Sequence, residues 1–181
     1  MTDSLQSRVT VLDNATHHGG ERGAGPAEII WHSTRSRMSA RDLIEYLNTT
    51  KERIASYHYV IDRDGAIVRM CRPELVAWHA GDSAWPNPIV GDGTEECRPN
   101  GGHSVNAISL GFAFCTKDDE GEQPTALQIE SALWLAKVYM ARYDIPPSLN
   151  LAHKEVSPGR KTDPIGFDMD DWRRQIGALF A

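Results

Sequence analysis

The sequence has few cysteines, no long apolar run and no excess of positive charge, and each of these features excludes a class of protein. The three cysteines, Cys71, Cys97 and Cys115, form no C-x-x-C pair, so neither a thiolate zinc knuckle nor a dithiol redox motif is predicted. No apolar stretch approaches the roughly 20 residues of a membrane-spanning helix, so membrane insertion is not expected. The net charge of -6 argues against a general affinity for nucleic acid, which normally needs a basic surface.

The N-terminal residues lack the basic start and apolar core of a secretory signal, so we expect a cytoplasmic protein. The 181 residues, 40% of them hydrophobic, are enough for one globular domain with a full core. Residues 1–25 are polar and rich in glycine and histidine, and they end in Gly23-Ala24-Gly25-Pro26. This composition predicts a flexible arm over residues 1–25, followed by a catalytic domain over residues 26–181.

Strand-like apolar runs alternate with amphipathic patterns, which predicts a single α/β domain with a central mixed sheet flanked by helices. Strands are predicted over residues 28–32, 56–62, 66–70, 107–115 and 149–152. The Asp64-Gly65 turn predicts that the second and third of these form a hairpin. Helices are predicted after Ser39, from about 124 to 143 and from 168 to 179. The long helix is expected to bury a face that includes Leu127, Leu133, Ala136 and Met140.

Two histidines and a carboxylate stand where the predicted strands end. His32 follows the apolar run at 27–31, His153 follows the short strand at 149–152, and Asp163 lies ten residues after His153. Two neutral imidazoles and one carboxylate form the ligand set of an open catalytic zinc site, which keeps its fourth position for water. Lys161 lies two residues before Asp163 and could supply positive charge where an oxyanion forms. These residues predict a zinc hydrolase.

The same residues lie within five motifs in a definite order. These are IWHST at 30–34, SYHYVIDRDG at 56–65, AWHAG at 77–81, NAISLG at 106–111 and AHKEVSPGRKTDP at 152–164. With these motifs, the chain resembles the zinc-dependent N-acetylmuramoyl-L-alanine amidases. That superfamily includes the phage lysozyme-type amidases and the peptidoglycan recognition proteins. The resemblance extends from about residue 28 to residue 172, which is most of the chain.

The resemblance implies an enzyme that hydrolyses the amide bond between N-acetylmuramic acid and L-alanine in peptidoglycan. It implies Zn2+ held by His32, His153 and Asp163 at one edge of the sheet, with Tyr57 and Lys161 as catalytic residues. His79 takes the place of a histidine that contacts the glycopeptide in the substrate groove. Two further residues are candidates for substrate binding on their own chemistry and position, namely Trp78, whose aromatic face suits a sugar, and His103.

One position departs from the family pattern. The cytosolic recycling amidases of this superfamily carry a glutamate as general base just after a Ser-x-Gly in a strand, and the residue there is Ala113. The phage lysozyme-type branch also lacks that glutamate and relies on its tyrosine and lysine. The general base is therefore left open between Tyr57, the first choice, and Glu155.

The missing glutamate favours a lytic role over a recycling role. We expect a monomeric phage or prophage endolysin that stays in the cytoplasm until it is released to the host cell wall, where it degrades peptidoglycan. One alternative is a cytosolic muropeptide-recycling amidase. A second is a non-catalytic peptidoglycan-binding protein of the same fold, which typically lacks the third zinc ligand. A zinc peptidase that cuts within the stem peptide would use similar metal chemistry.

Overall fold

The computed structural model describes residues 8–81, 83 and 105–180. The strands are, in chain order, β1 (Val9–Val11), β2 (His18–Glu21), β3 (Glu28–Ser33), β4 (Tyr59–Ile61), β5 (Ile67–Arg69), β6 (Leu75–Ala77), β7 (Ser109–Phe114) and β8 (Asn150–Ala152). The helices are α1 (Ala40–Thr49), α2 (Val105–Ile108), α3 (Ala126–Tyr143), α4 (His153–Val156) and α5 (Met169–Gly177). No helix in this part of the chain is long and apolar enough to span a membrane.

Six strands form a mixed sheet in the order β1-β5-β4-β7-β3-β8, and β2 pairs with β6 in a separate two-stranded sheet. Strand β3 lies between β7 and β8 and runs parallel to both. Strands β4 and β5 form the predicted antiparallel hairpin around the Asp64-Gly65 turn. The predicted α/β fold with a central mixed sheet is confirmed, and β3 with its two parallel neighbours forms the half of the sheet that carries the predicted ligands.

The two faces of the sheet follow from the alternation of side chains along each strand. Trp31 of β3 packs edge-on against Trp172 of α5, with the ring centroids 4.9 Å apart, in the core that also buries the inner side of α3. Helix α1 packs against the opposite face, where Val60 and Ala113 are buried. His32 is the next residue after Trp31, so its side chain leaves the sheet on the face opposite the tryptophan core.

Helix caps place the helices where the sequence predicts them. The Ser39 side chain caps α1 by accepting from the backbone N–H of Asp42. Thr125 and Gln128 form a reciprocal capping box at the start of α3.

The buried face of α3 differs from the prediction, because it is centred on Ala132, Leu135, Ala136, Tyr139 and Met140. Leu127 lies about 100° around the helix from buried Gln128 and is 53% exposed, so its predicted burial is wrong.

Residues 8–25 contain two strands that the sequence analysis does not predict. Strand β1 pairs with β5 at the edge of the main sheet, and β2 pairs with β6. Short strands that contain glycine give a weak sequence pattern, since their pairing depends on a partner distant in the chain. The division of the chain at residue 26 stays a prediction. The glycine-rich stretch from 84 to 104 lies outside the described residues.

Candidate active site

Strand pairing brings the two candidate histidine ligands together. The register of β3 with β8 pairs Trp31 with Ala152, so the residues that follow them, His32 and His153, lie side by side. Asp163 returns to the same place through the loop after α4. The backbone N–H of Lys154 donates to the carbonyl oxygen of Asp163 at 2.9 Å and fixes that return.

The three predicted ligands form one compact buried group. The Asp163 Oδ2 atom lies 3.1 Å from His153 Nδ1 and 3.5 Å from His32 Nδ1. One potential ligand atom from each residue lies within 4.8 Å of the other two. Among the described residues, this is the one group of three or more His, Cys, Asp or Glu side chains with such a spacing. The sequence-predicted ligand set is therefore assembled in space.

Hydrogen bonds and burial set the protonation of this group. His153 Nε2 lies 3.1 Å from the Ala80 carbonyl oxygen, to which it donates, and His153 Nδ1 is the ring nitrogen that faces Asp163. Burial, followed by the nearby His153, lowers the pKa of His32 to about 4. Burial raises the pKa of Asp163, but its contacts with His153 and His32 outweigh burial and hold that pKa well below its usual range. Two imidazoles and an ionised carboxylate that converge in this way suit Zn2+.

Tyr57 lies against the ligand group. Its ring centroid is 5.3 Å from that of His32, and its hydroxyl oxygen accepts from Arg53 Nη2 at 3.3 Å. Burial raises the pKa of Tyr57 above its ordinary value, and the Arg53 charge opposes that rise. The side chain is therefore a phenol at neutral pH, whose own O–H can be donated to a group in the cavity.

A cavity of about 300 Å³ opens onto these residues. Its walls carry four cationic side chains, Arg35, Arg53, Arg160 and Lys161, although the chain as a whole has a net charge of -6. Burial, followed by the charge of Arg160, lowers the pKa of Lys161 below its ordinary value. A cavity lined mainly by one sign of charge attracts ligands of the other sign. This cavity therefore favours a substrate that carries carboxylates.

The predicted substrate-binding residues have different environments. Trp78 is 39% exposed and lines the cavity, with its ring stacked on that of His17 at a centroid distance of 6.3 Å. His79 is buried, and both of its ring nitrogens face protein side chains, Nδ1 toward His32 and Nε2 toward Ser109. His103 lies outside the described residues.

The structure also shows the surroundings of Glu155, the second candidate for the general base, and of Ala113. The Glu155 carboxylate accepts from the backbone N–H of Ala152, and both of its oxygens accept from Arg173 Nη2; it does not line the cavity. Its carboxylate is thus engaged in an ion pair with Arg173. Ala113 is paired with His32 in the register of β7 with β3, so a methyl group stands where the recycling enzymes carry their glutamate.

Sequence reasoning missed three cationic residues of the site, namely Arg35, Arg53 and Arg160. Arg160 lies within the motif at 152–164, and its Nη2 donates to the Ala80 carbonyl oxygen at 2.6 Å and to Ser157 Oγ at 2.9 Å. Its position directly before Lys161 in that motif was a signal that could have identified it. Arg53 lies in the exposed stretch between α1 and β4, and no pattern in the sequence marks it.

Comparisons with known proteins agree with this geometry. A family model described as N-acetylmuramoyl-L-alanine amidase matches residues 21–166. The N-acetylmuramoyl-L-alanine amidase AmiD of Escherichia coli strain K12 is 28% identical over 143 residues, which are 70% of this chain and 46% of AmiD. The chain thus spans about half the length of that curated relative.

Solved structures share the fold. A selenomethionine derivative of AmpD has a TM-score of 0.72 at 22% identity, with 94% of each chain covered. The endolysin amidase LysCS from Clostridium intestinale URNW has a TM-score of 0.66 at 22% identity, with 93% of this chain and 94% of that one covered. AmiD, in a complex described as containing its substrate anhydro-N-acetylmuramic acid-L-Ala-D-γ-Glu-L-Lys, has a TM-score of 0.63 at 24% identity, with 84% of this chain and 59% of that one covered.

Proposed function

The chain belongs to the N-acetylmuramoyl-L-alanine amidase family, and on that basis we propose that it hydrolyses the amide bond between N-acetylmuramic acid and L-alanine in peptidoglycan. The observation that carries this proposal is the convergence of His32, His153 and Asp163 beneath a cationic cavity. The stem peptide of peptidoglycan carries carboxylates, so the sign of the cavity suits it. The non-catalytic alternative is disfavoured because the complete ligand set is present.

We propose that His32 and His153 hold Zn2+ through their Nδ1 atoms, with Asp163 as the third ligand. Burial keeps the His32 imidazole neutral and the contacts of Asp163 keep its carboxylate ionised, which are the states that metal binding needs. When bound, zinc supplies a Lewis acid that polarises the scissile carbonyl group and makes a water molecule a better nucleophile.

Lys161 and Tyr57 are proposed to act on the reacting amide from the cavity wall. The Lys161 ammonium group supplies positive charge to the oxygen that becomes negative in the tetrahedral intermediate. Tyr57 acts as a hydrogen-bond donor, because burial keeps its hydroxyl protonated and Arg53 already occupies a lone pair of its oxygen. A donor role replaces the general-base role for Tyr57 that the sequence favoured. Trp78 offers the sugar an aromatic face at the mouth of the cavity.

We propose that the physiological substrate is the intact cell wall, with the enzyme acting as a phage or prophage endolysin. Ala113 supports this choice, since the position lacks the glutamate expected of a recycling amidase. A muropeptide-recycling role is the second candidate. It is favoured by the likeness to AmiD, whose complex contains an anhydromuramyl peptide. The proposal includes a monomeric protein that stays in the cytoplasm until it is released to the host cell wall.

The deciding experiment is mass spectrometry of purified sacculi and of soluble anhydromuropeptides after digestion with the protein, with and without a chelator. Chelator-sensitive release of stem peptides with free L-alanine amino groups, and glycan strands left intact, would establish the amidase. Cleavage of the soluble substrate alone would select the recycling role. Sacculi that bind the protein without being cut would select the binding role, and cleavage within the stem peptide would select a peptidase.

Replacement of a metal ligand tests the metal directly. We expect Asp163→Ala to lose bound zinc and all measurable amidase activity, because two histidines alone leave the metal without its anionic ligand. Zinc content is measured by elemental analysis after gel filtration. Asp119→Ala, a change at an exposed site outside the cavity, is the matched control and should retain zinc. Full activity in a zinc-free Asp163→Ala protein would refute the proposed site.

A further inference from the structure

A line of hydrogen bonds extends from the ligand group into the protein interior. His32 Nε2 lies 3.0 Å from His79 Nδ1, and His79 Nε2 lies 3.2 Å from Ser109 Oγ. The Ser109 hydroxyl donates in turn to the carbonyl oxygen of Val105. All three side chains are buried, so water does not compete for these contacts.

The end of this line determines the position of every proton in it. A carbonyl oxygen only accepts, so the Ser109 hydroxyl must donate to Val105, and its oxygen is left to accept from His79 Nε2–H. His79 Nδ1 then carries a lone pair and accepts from His32 Nε2–H. This leaves His32 Nδ1, the atom that faces Asp163 at 3.5 Å, as the ring nitrogen available to a metal.

We propose that His79 is a positioning residue that holds His32 in the tautomer and ring orientation needed for metal binding through Nδ1. The role of the metal rests on the proposed function, whereas the tautomer of His32 does not. In metal sites, a partner that accepts from the second ring nitrogen of a ligating histidine typically contributes 10- to 100-fold to metal affinity. The family resemblance assigns His79 to substrate contact. Its hydrogen bond reaches the proposed metal ligand His32 instead.

The surroundings of His79 are built to keep its ring in place. Asn106 Oδ1 accepts from the backbone N–H groups of both His79 and Ala80, at 3.1 and 2.8 Å. Gly111 of β7 leaves the space that the ring occupies, since a Cβ atom there would lie 2.3 Å from His79 Cγ. Ser109 and Gly111 are two residues apart on one strand, so both face His79. The Ser-x-Gly sequence of β7 therefore supplies one acceptor and one vacant position for the same imidazole.

The first test is the His32 Nε2–H group in the zinc-loaded protein, read from its 1H and 15N chemical shifts and its rate of exchange with water at neutral pH. In the wild type we expect a downfield, slowly exchanging Nε2–H that is hydrogen-bonded to His79. In His79→Phe, which removes the acceptor, we expect this signal to move upfield and to exchange faster. An unprotonated His32 Nε2 in the wild type, or the same signal in both proteins, would overturn the proposal.

The second test is zinc affinity, measured by competition with a chromophoric chelator. We expect His79→Phe to bind zinc about 10- to 100-fold more weakly than wild type. His79→Asn places its Oδ1 near the former Nδ1 position, so it should recover most of the affinity. Equal affinity in wild type and His79→Phe would overturn the proposal while leaving the amidase assignment intact. Failure of the wild type to bind zinc would instead remove the metal from the proposed function.

Two variants at β7 keep the proposal testable if replacing His79 impairs folding. Ser109→Ala removes the acceptor of His79 Nε2–H, and Gly111→Ala displaces the ring without altering its chemistry. Both should weaken zinc binding severalfold. Ser131→Ala removes a comparable serine-to-carbonyl hydrogen bond outside the cavity, to Gly65, and should leave zinc affinity unchanged. Unaltered zinc affinity in both β7 variants would also count against the proposal.

Discussion

Burial determines the charge state of single side chains in the cavity. His32 is driven to the neutral form by the loss of solvent, while Asp163 stays ionised because two imidazoles contact its oxygen. Tyr57 is kept a phenol by the same loss of solvent. All three pKa values are thereby moved further from neutral pH, so the charges of this group do not change around pH 7.

At the residue scale, Lys161 is the clearest test of electrostatic stabilisation. We expect Lys161→Ala to retain zinc and to lose about 100-fold or more in kcat, since one preorganised donor to a developing oxyanion is worth roughly 3 kcal/mol. The measurement is kcat on a soluble muropeptide together with zinc content. Lys137→Ala, at an exposed site on α3, is the control with the same change of charge. Loss of zinc in Lys161→Ala would indicate that the lysine has a structural role.

At the scale of elements, parallel strand pairing brings the ligands together. Strands β3 and β8 end at the same edge of the sheet, and α4 begins with His153 at that end. A rigid strand end holds a ligand more accurately than a free loop does. The third ligand has no such element and depends on the backbone contact between Lys154 and Asp163.

Helix α3 offers a test of stability that is separate from the chemistry. Thr125 accepts from the backbone N–H of Gln128 and donates to the carbonyl oxygen of Arg63. We expect Thr125→Ala to lower the free energy of unfolding by about 1–2 kcal/mol, the usual cost of losing an N-cap. Urea denaturation measures this change, and amidase activity in native buffer should be unaltered. Thr125→Ser keeps the hydroxyl and should remain close to wild type; equal loss in both variants would mean that the cap is not the cause.

The whole molecule combines an acidic surface with a cluster of buried neutral histidines. Burial, followed by the charge of Arg22, lowers the pKa of His58 to about 3, and the pKa of His32 is lowered to about 4. Burial, followed by the charge of His32, also places the pKa of His79 well below its ordinary value. The unfolded chain exposes all three to water, where histidine titrates near pH 6.5.

The pH dependence of stability follows from these shifts. Between about pH 6.5 and 5 the unfolded chain binds protons that the native protein does not, so the free energy of unfolding falls as the pH falls. The expected slope approaches about 1.4 kcal/mol per pH unit for each of the three histidines. Urea denaturation of the zinc-free protein at pH 7, 6 and 5 measures it. His58→Gln should reduce the slope, and a constant free energy of unfolding over this range would contradict the prediction.

Local patterns in the chain were sufficient for most of the elements. Alternation and turn residues located the β4–β5 hairpin, Ser39 located the start of α1, and the local sequence pattern located α3 and α5. The ligand residues were identified because their motifs occur together and in order. Strands β1 and β2 were missed, and Leu127 was placed on the wrong side of α3, because both depend on which distant surface packs against the segment.

The sequence by itself determined the family, the class of fold and the types of ligand, since these depend on residue identity and on periodic patterns along the chain. Only the tertiary structure decided what each side chain contacts. It directed His79 toward His32 and Ser109, placed Glu155 against Arg173, and brought Arg53 to the hydroxyl of Tyr57. The physical reason is that hydrogen bonds and burial depend on groups far apart in the chain, and local sequence does not encode their distance or direction.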